Sequence, residues 1–524
     1  MTARNALLAA LACMLALPLG LSVRAPAALA DQADPGPYGA GRQIVTVART
    51  GGGSFTAQLF YPATSTGNGA PYDGSGAPYP ALTFGHGFSV HPDRYRSTFE
   101  HLASHGYLVV APESYTSPWF PDHQAFADDL RYSLDYLEAR NADPGSWLYA
   151  QVDTAHLGMA GHSMGGGSSV LAAAVDLRVK ALVLLAAADT DPSAIAQMPN
   201  IGAPVRLLSG DEDGIVDWET NTQAMYDAGR PPRQRQLLQG GWHCGFMDSN
   251  ILFCDSGSLP RAEQLEITRR ELVTFFDLNL KPSAGSWREV WGPERADDPR
   301  IDLLSEPGID LSPASQAGQG APGSIVSYIL TVTNLDTQAS GYTMLAEDDA
   351  WPPAPAPWPT TFIPDQTAVL APGESAQVTV QVQLPGTPGP DETILVSARS
   401  DLDGGTRQYA TVTTGFLSQT VHIGNIRLKY QAGSGGAYRL IGQVPVLDAE
   451  QVPVAGATVT AQWTLPNGNR IVRTAVTAAN GVARFQINSR QQGLHILTVL
   501  DVQAAGYAYD PDQNLETSEE LQVP

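Results

Sequence analysis

Residues 158–174, which read GMAGHSMGGGSSVLAAA, place five glycines close to Ser163, before a run of small apolar residues. Glycine at this density weakens helices and strands alike, so a purely structural segment rarely carries it. The residues before Ser163 have the apolar pattern of a buried strand, and those after Gly166 favour a helix. G-x-S-x-G between a strand and a helix is typical of a nucleophilic serine on a cramped turn, where a flanking side chain would clash. The alternative is a glycine-rich loop with an incidental serine.

The surrounding sequence alternates strand-like and helix-like patterns from about residue 40 to residue 282. Apolar runs such as YPALTFG, YLVVAP, KALVLLAAA and APVRLLSG are typical of buried strands, whereas FADDLRYSLDYLEAR and AEQLEITRRELVTFFDLNL have helical spacing of their apolar residues. This alternation predicts an α/β domain, in which a mostly parallel central sheet is covered by helices on both faces. We place this domain at residues 31–285.

The pattern changes after Pro282. Residues 286–307 read as a linker, in which Trp287 and Trp291 are candidates to dock against a neighbouring domain. From about residue 308 onward the chain shows period-two alternation in short segments separated by turns, as in SIVSYILTVTN and ATVTAQWTL. This predicts two all-β immunoglobulin-like sandwich domains, at residues 308–417 and 418–524.

The N-terminus has the features of a secretory signal peptide at residues 1–30. Arg4 precedes a long apolar run, and Ala28-Leu29-Ala30 has the small-x-small form of a cleavage site. The alternative is an N-terminal membrane anchor. Removal of the signal leaves two cysteines, Cys244 and Cys254, and an even count in an exported chain predicts one disulfide, the alternative being two buried thiols. We therefore expect a secreted, extracellular protein, with attachment to the cell surface as a further option.

Composition excludes some functions. The formal net charge is −23 and the isoelectric point about 4.7, which disfavours binding to the phosphate backbone of nucleic acids. No segment after the N-terminus is long and apolar enough for a transmembrane helix. The histidines near the candidate site loops lack the spacing of a metal site, so we expect no metal and no cofactor; they are His86, His91, His123 and His162.

A serine nucleophile needs a base, and the base needs an orienting acid. In α/β-hydrolases the acid and then the histidine follow the serine in the chain. After Ser163 the predicted domain contains one histidine, His243, in QGGWHCGF. The acid is expected in GDEDGIVD, after the strand APVRLLSG, and Asp213 fits the usual G-x-x-D loop. Asp211 and Asp217 are interpreted as loop caps or solvated charges.

Two backbone N–H groups are expected to form the oxyanion hole. One is that of Met164, directly after the nucleophile, and the other that of Phe88, in the turn Gly85-His86-Gly87-Phe88 after an early strand. The Phe88 ring would then line the acyl pocket. Further candidates for the substrate wall are Trp119, Phe120 and Trp242, for which anchoring of loops against the core is the equally weighted alternative.

These motifs together resemble a known family. HGFSVHPDRYRSTFEHLASHGYLVVAPESY, GHSMGGGSS, SGDEDGIVD and GGWHC are similar to the polyester hydrolase, cutinase-like and chlorophyllase-like branch of the dienelactone hydrolase relatives, over about residues 40 to 282. The resemblance implies a Ser163–Asp213–His243 triad, with Phe88 and Met164 at the oxyanion hole. Dienelactone hydrolases use cysteine as nucleophile, so Ser163 argues against that activity. Plastic-degrading members place a tryptophan where Ala188 stands here, which puts cleavage of aromatic polyesters in question.

The sequence therefore predicts a secreted serine hydrolase of carboxylic esters, cutinase-like, which acts through an acyl-enzyme. A lipase, a chlorophyllase-like hydrolase or an amidase with the same triad is the first alternative. The second is a surface or adhesion protein with a vestigial hydrolase domain. The sandwich domains would serve as a spacer or bind a cell surface or polymer, and we expect a monomer that acts on an ester, with a polymeric ester as one option.

Overall fold

The computed structural model describes residues 32–115, 121–281, 287–350, 354–417 and 419–524. The signal peptide predicted at residues 1–30 lies outside the described residues. No helix in the described ranges is both long and apolar enough to cross a bilayer.

The front domain is built on a ten-stranded sheet in the described part of the chain, in the order β10-β9-β8-β7-β6-β4-β5-β2-β1-β3. Strands β4 to β9 pair in parallel, whereas β1 and β2 pair antiparallel at one side and β10 pairs antiparallel with β9 at the other. The strands are β1 Gly39–Ala48, β2 Ser54–Ala63, β3 Gly67–Asn68, β4 Tyr79–Gly85, β5 Leu108–Pro112, β6 Val152–His162, β7 Val179–Leu185, β8 Val205–Gly210, β9 Arg233–Leu238 and β10 Ile301–Glu306. The predicted α/β fold is confirmed.

Helices cover both faces of this sheet because each carries an apolar stripe. The helices are α1 Arg96–Ser104, α2 His123–Ala142, α3 Met164–Ala173, α4 Ala224–Ala228, α5 Arg261–Leu280 and α6 Trp287–Trp291. Buried residues of α1, α5 and α6 form one core with one sheet face, as Phe99, Phe276 and Trp287 illustrate. Those of α2, α3 and α4 form a second core, in which Leu134 and Leu171 take part. The sheet is thereby shielded from water on both sides.

The predicted linker, residues 286–307, contributes both α6 and β10 to the front domain. Arg295, just after α6, lies 3.2 Å from the buried carboxylate of Glu271 on α5. Residues Ile301 to Glu306 pair with β9 over its whole length. The segment is therefore held to the domain by backbone pairing and by an ion pair.

Two β-sandwiches follow, as predicted. In the first, the sheets β11-β13-β16-β15 and β12-β18-β17-β14 enclose an apolar core, and in the second β20-β21-β19-β26, with β24 on β21, faces β23-β22-β25-β27. The strands are β11 Ile309–Ser312, β12 Ser315–Gly320, β13 Ile325–Asn334, β14 Tyr342–Asp348, β15 Thr360–Ile363, β16 Ser375–Gln383, β17 Glu392–Ser400, β18 Arg407–Phe416, β19 Gln419–Ile423, β20 Arg427–Ala432, β21 Tyr438–Asp448, β22 Thr458–Thr464, β23 Arg470–Val476, β24 Val482–Ser489, β25 Gly493–Gln503, β26 Tyr507–Tyr509 and β27 Ser518–Val523.

The first sandwich docks on the front domain through α6. The buried guanidinium of Arg288 donates to the carbonyls of Asp348, Asp349 and Ala350, at 3.0 to 3.1 Å. The Trp287 ring lies between the domains, with the guanidinium carbon of Arg407 5.1 Å from its centroid. The contact is therefore a buried joint that combines a charged group with aromatic packing.

Candidate active site

The candidate site lies at the edge of the sheet where the parallel strands end. The turn after β4 carries Phe88, that after β6 carries Ser163, and those after β8 and β9 carry Asp213 and His243. Side chains from the carboxyl ends of neighbouring parallel strands meet at one edge, where α/β proteins bind ligands. All four predicted positions are thereby brought to the same edge.

Ser163 occupies a strained turn between β6 and α3. Its backbone has φ 56° and ψ −124°, a conformation that residues with a side chain rarely adopt. Its N–H donates to the Leu185 carbonyl at 2.9 Å, and its own carbonyl accepts from Gly166 at 3.0 Å and Ala188 at 3.0 Å. These bonds hold the turn from both sides, so the strain is maintained by the adjoining strand β7 and helix α3.

The surrounding glycines are explained by close backbone approach. A Cβ on Gly161 would lie 2.3 Å from the Gly165 carbonyl oxygen, and one on Gly165 would lie 2.2 Å from the Gly85 carbonyl carbon. On the α3 side, a Cβ on Gly167 would lie 2.3 Å from the Ala188 carbonyl oxygen. The predicted clash of flanking side chains is confirmed, because β4, β6 and α3 touch through their backbones at this turn.

His243 and Asp213 form a buried hydrogen-bonded pair. Nδ1 of His243 lies 2.8 Å from Oδ2 of Asp213, and the two side chains are 5% and 0% exposed. The other carboxylate oxygen, Oδ1, accepts the backbone N–H groups of Ile215 at 2.9 Å and Val216 at 2.8 Å. A carboxylate held in this way makes Nδ1 the donor, so that Nε2 of His243 is the ring atom able to accept a proton.

The other acidic residues of the same loop hold the backbone. Asp211 accepts the N–H of Gly240 at 2.6 Å, and Asp217 accepts that of Thr220 at 2.9 Å. Glu212 accepts the N–H of Ser258 at 2.6 Å. Each of them stabilises a turn near the site, and among the acids of this loop Asp213 is the one placed on the His243 ring.

The Ser163 turn and the His243 ring meet through His162. His162 directly precedes Ser163 in the chain, and the centroid of its ring lies 4.5 Å from that of the His243 ring. Burial, and secondarily the neighbouring His243, hold the pKa of His162 well below its usual range. The lowered pKa favours the neutral form of His162, which adds no positive charge beside the His243 ring.

Asp255, which no sequence pattern singled out, links the loops that carry Asp213 and His243. Its Oδ2 accepts the backbone N–H groups of His243 at 2.8 Å and Gly214 at 3.0 Å, and its Oδ1 accepts that of Cys244 at 3.0 Å. The predicted disulfide between Cys244 and Cys254 is confirmed and ends one residue before Asp255. One signal was available in the sequence. Asp255 follows Cys254, and the predicted disulfide partner of Cys254 is Cys244, which follows His243.

The predicted oxyanion positions lie on either side of the nucleophile turn. Met164 is buried at the first residue of α3, where helix N–H groups are free to donate outward. Phe88 is 45% exposed, at the end of the turn after β4. The His86 ring braces that turn, because its nitrogens lie 2.9 Å from the Gly87 carbonyl and 2.7 Å from the Ser114 carbonyl.

The other substrate-wall candidates are placed differently. Trp119 and Phe120 lie outside the described residues. Trp242 is 7% exposed and packs in the core, where its indole N–H donates to the Leu259 carbonyl at 3.1 Å and the Arg261 guanidinium lies over its ring. This geometry favours the alternative of a loop anchor for Trp242.

The mostly parallel sheet, with a strained serine turn after β6 and a carboxylate–imidazole pair after β8 and β9, defines an α/β-hydrolase domain. Residues 24–254 match a family described as "PETase: PET hydrolase-like". The predicted resemblance to polyester hydrolases and cutinases is confirmed for this part of the chain. The match ends before β10 and both sandwiches.

Individual relatives agree with the family match. A bis(hydroxyethyl) terephthalate hydrolase of Streptomyces coelicolor is 29% identical over 216 residues, which are 41% of this chain and 63% of that protein. Cutinase est1 of Thermobifida alba is 29% identical over 129 residues, 25% of this chain and 40% of the cutinase. Cutinase 2 of Thermobifida cellulosilytica is 28% identical over 129 residues, 25% of this chain and 46% of that enzyme. The chain thus spans less than two thirds of the length of each.

Proposed function

We propose that this protein is a secreted serine hydrolase that cleaves carboxylic esters through an acyl-enzyme, with Ser163 as nucleophile, His243 as base and Asp213 as orienting acid. The observation that carries the proposal is the 2.8 Å contact between the His243 ring and the buried Asp213 carboxylate, at the strand edge that also bears the strained Ser163 turn. The similarity to cutinases and to a terephthalate ester hydrolase supports the same chemistry.

The proposed reaction follows from these positions. Oγ of Ser163 attacks the ester carbonyl carbon while Nε2 of His243 takes the hydroxyl proton, and a tetrahedral oxyanion forms. The bond to the alcohol oxygen then breaks as His243 returns the proton to that oxygen. Water repeats the sequence on the acyl-enzyme and releases the carboxylic acid and free Ser163. Asp213 keeps the imidazole in the required tautomer and stabilises its charged form.

The oxyanion is assigned to the N–H groups of Phe88 and Met164. The Met164 N–H belongs to the first turn of α3, whose partial positive charge favours a negative oxygen. Donors already in place cost no reorganisation when charge develops in the transition state. The backbone contacts among Gly85, Gly161 and Gly165 support this assignment, because they hold the two turns together.

An apolar rim supports an ester that is itself apolar, as in a polymer. Near the candidate residues, Phe88 is 45% exposed and Ile215 is 49% exposed, and Leu252 and Phe253 are 79% and 87% exposed. The 3.0 Å bond from Gly214 to Asp255 holds the Ile215 turn beside the loop that carries Leu252 and Phe253. Exposed apolar groups clustered at one site are typical of surfaces that bind apolar partners. Aliphatic polyesters are the favoured polymer, since Ala188 stands where plastic-degrading members of the resembled family have a tryptophan.

Labelling with a fluorophosphonate probe tests the chemistry directly. We expect the wild-type protein to be labelled and Ser163→Ala to remain unlabelled. Ser168→Ala is the matched control, because this serine is buried in the same helix α3 and has no assigned role. Absence of labelling in the folded wild type would leave the vestigial-domain alternative as the better account.

Substrate class is tested by comparing nitrophenyl esters, triglycerides, polyester films and aryl amides. We expect turnover of short esters and films to exceed that of the aryl amides. Preferential turnover of triglycerides would favour the lipase alternative, and that of amides the amidase alternative. A chlorophyll ester in the same panel tests the chlorophyllase-like alternative.

Secretion and the role of the sandwiches are part of the same proposal. We propose that the chain is exported, begins at Asp31 after cleavage, and uses residues 308–417 and 418–524 as two accessory domains that act as spacers or bind a surface. N-terminal sequencing of protein recovered from culture medium tests the cleavage site. Retention of residues 1–30 on a membrane fraction would favour the anchor.

A further inference from the structure

The hydroxyl of Tyr95 is a buried polar group that the reaction above does not use. Tyr95 ends a short 3₁₀ turn, Pro92–Tyr95, just before α1, and is 1% exposed. Its ring packs against Phe84 and Phe99, with centroids 5.0 and 6.1 Å away. The ring therefore belongs to the core, whereas the hydroxyl points towards the candidate site.

That hydroxyl joins the two turns on either side of the site. It accepts the backbone N–H of Gly87 at 3.1 Å, and it lies 2.8 Å from Nδ1 of His162, both bonds being buried. An N–H group can only donate, so the oxygen accepts from Gly87 and is free to donate its own proton to Nδ1. The neutral state of His162 agrees with this direction, because an unprotonated Nδ1 can accept.

The partners of Tyr95 directly precede the assigned groups of the site. Gly87 precedes Phe88, and His162 precedes Ser163 and Met164. One oxygen atom thus contacts the backbone next to one assigned oxyanion donor and the side chain of His162, two residues before the other donor. The His162 ring also lies 4.5 Å from the His243 ring, measured between centroids.

We propose that Tyr95 is a positioning residue, whose hydroxyl sets the separation between the Phe88 and Met164 N–H groups by binding Gly87 and His162 at once. The inference rests on the proposed esterase function. It predicts an effect on the transition state rather than on substrate binding, since the oxyanion forms only as the serine attacks. The Tyr95 ring contributes packing, and the hydroxyl contributes the geometry.

Tyr95→Phe separates these two roles, because it keeps the ring and removes the oxygen. We expect kcat for a soluble nitrophenyl ester to fall by about 10- to 100-fold, since a small displacement of an oxyanion donor is costly. KM should stay within about twofold of wild type. The rate of fluorophosphonate labelling should fall in parallel, because the phosphonyl oxygen enters the same hole.

Tyr107→Phe is the matched control. Tyr107 is also buried in the front domain, and its hydroxyl donates to the Asp277 carboxylate at 2.6 Å. It lies just before β5, at the opposite edge of the sheet from the site. We expect this variant to lose stability while kcat stays at the wild-type value. A merely structural role for the Tyr95 hydroxyl would make the two variants behave alike.

A second pair of variants tests the same inference if Tyr95→Phe folds poorly. His162→Asn retains an oxygen that accepts from Tyr95, and His162→Leu does not. We expect kcat to be higher in His162→Asn than in His162→Leu. Equal values in this pair, or wild-type kcat in a folded Tyr95→Phe, would overturn the inference. Failure of the proposed function looks different, since wild-type protein would then resist fluorophosphonate labelling.

Discussion

The front domain and the two sandwiches each bury apolar cores, but they distribute their loops differently. Strands β4 to β9 run parallel, so the turns after them, which carry Phe88, Ser163, Asp213 and His243, meet at one edge. In the sandwiches most neighbouring strands run antiparallel, and consecutive turns fall at opposite ends. Parallel topology thus brings distant segments of chain to one site, whereas the sandwiches present separate loops.

The front domain also buries a cluster of charged side chains. Between β8, β9 and α5, the front domain encloses Arg206 and Glu271, both almost fully buried and 3.0 Å apart. Burial lowers the pKa of Arg206 to about 9, although Glu271 opposes this effect. Arg295 joins the same carboxylate from the segment after α6. This ionic cluster ties residues 287–306 to the sheet.

The largest effect on activity is expected from replacing the proposed orienting acid, Asp213. Asp213→Asn should lower kcat by about 10⁴-fold, because an amide at this position favours the wrong imidazole tautomer. Ester hydrolysis by purified, folded variant measures the loss. Asp217→Asn is the control, since Asp217 caps a turn in the same loop, and we expect it to retain activity. Similar losses in both would mean that the loop, and not the carboxylate on His243, is responsible.

Removing the disulfide is expected to have a smaller effect, which is a loss of stability confined to the front domain. Replacing Cys244 and Cys254 by serine should lower stability by about 2–3 kcal/mol, through loss of a short closed loop. Because Cys244 follows His243, activity should also be lost at temperatures below the melting of the sandwiches. Calorimetry and ester hydrolysis across temperature measure both. Activity that stays unchanged up to melting would show that the bond does not hold the His243 loop.

Acid should destabilise the front domain selectively. Burial lowers the pKa of both His86 and His162. As pH falls, these histidines therefore bind protons in the unfolded chain before they do so in the folded chain. The stability that they contribute is present above about pH 6.5 and is lost as pH falls below it. Calorimetry from pH 7 to pH 5 tests this, and an unchanged front-domain transition would contradict it.

The smallest effect is expected from the tail. Removing residues 418–524 should leave kcat/KM for a soluble ester within about twofold of wild type, because distant sites act independently. Hydrolysis of a polyester film by the same truncation measures whether the second sandwich contributes to polymer binding. A large loss on the soluble ester would contradict the proposed division between a catalytic front domain and accessory sandwiches.

Local patterns in the sequence were enough to predict the class of each region. Alternating apolar runs predicted the α/β sheet and the sandwiches, and the glycines around Ser163 predicted a cramped nucleophile turn. A single histidine after Ser163 and an even count of cysteines predicted His243 as base and the Cys244–Cys254 bond. These features are readable because they are local patterns or involve few candidates.

Tertiary structure alone decided which distant groups meet. The Tyr95 hydroxyl lies between Gly87 and His162, Asp255 binds the loops of both Gly214 and His243, and residues 301–306 pair with β9. Trp242 turns into the core, although its sequence neighbour His243 is at the site. Such contacts join segments far apart in the chain, and their partners are selected by packing and burial, which local residue patterns do not encode.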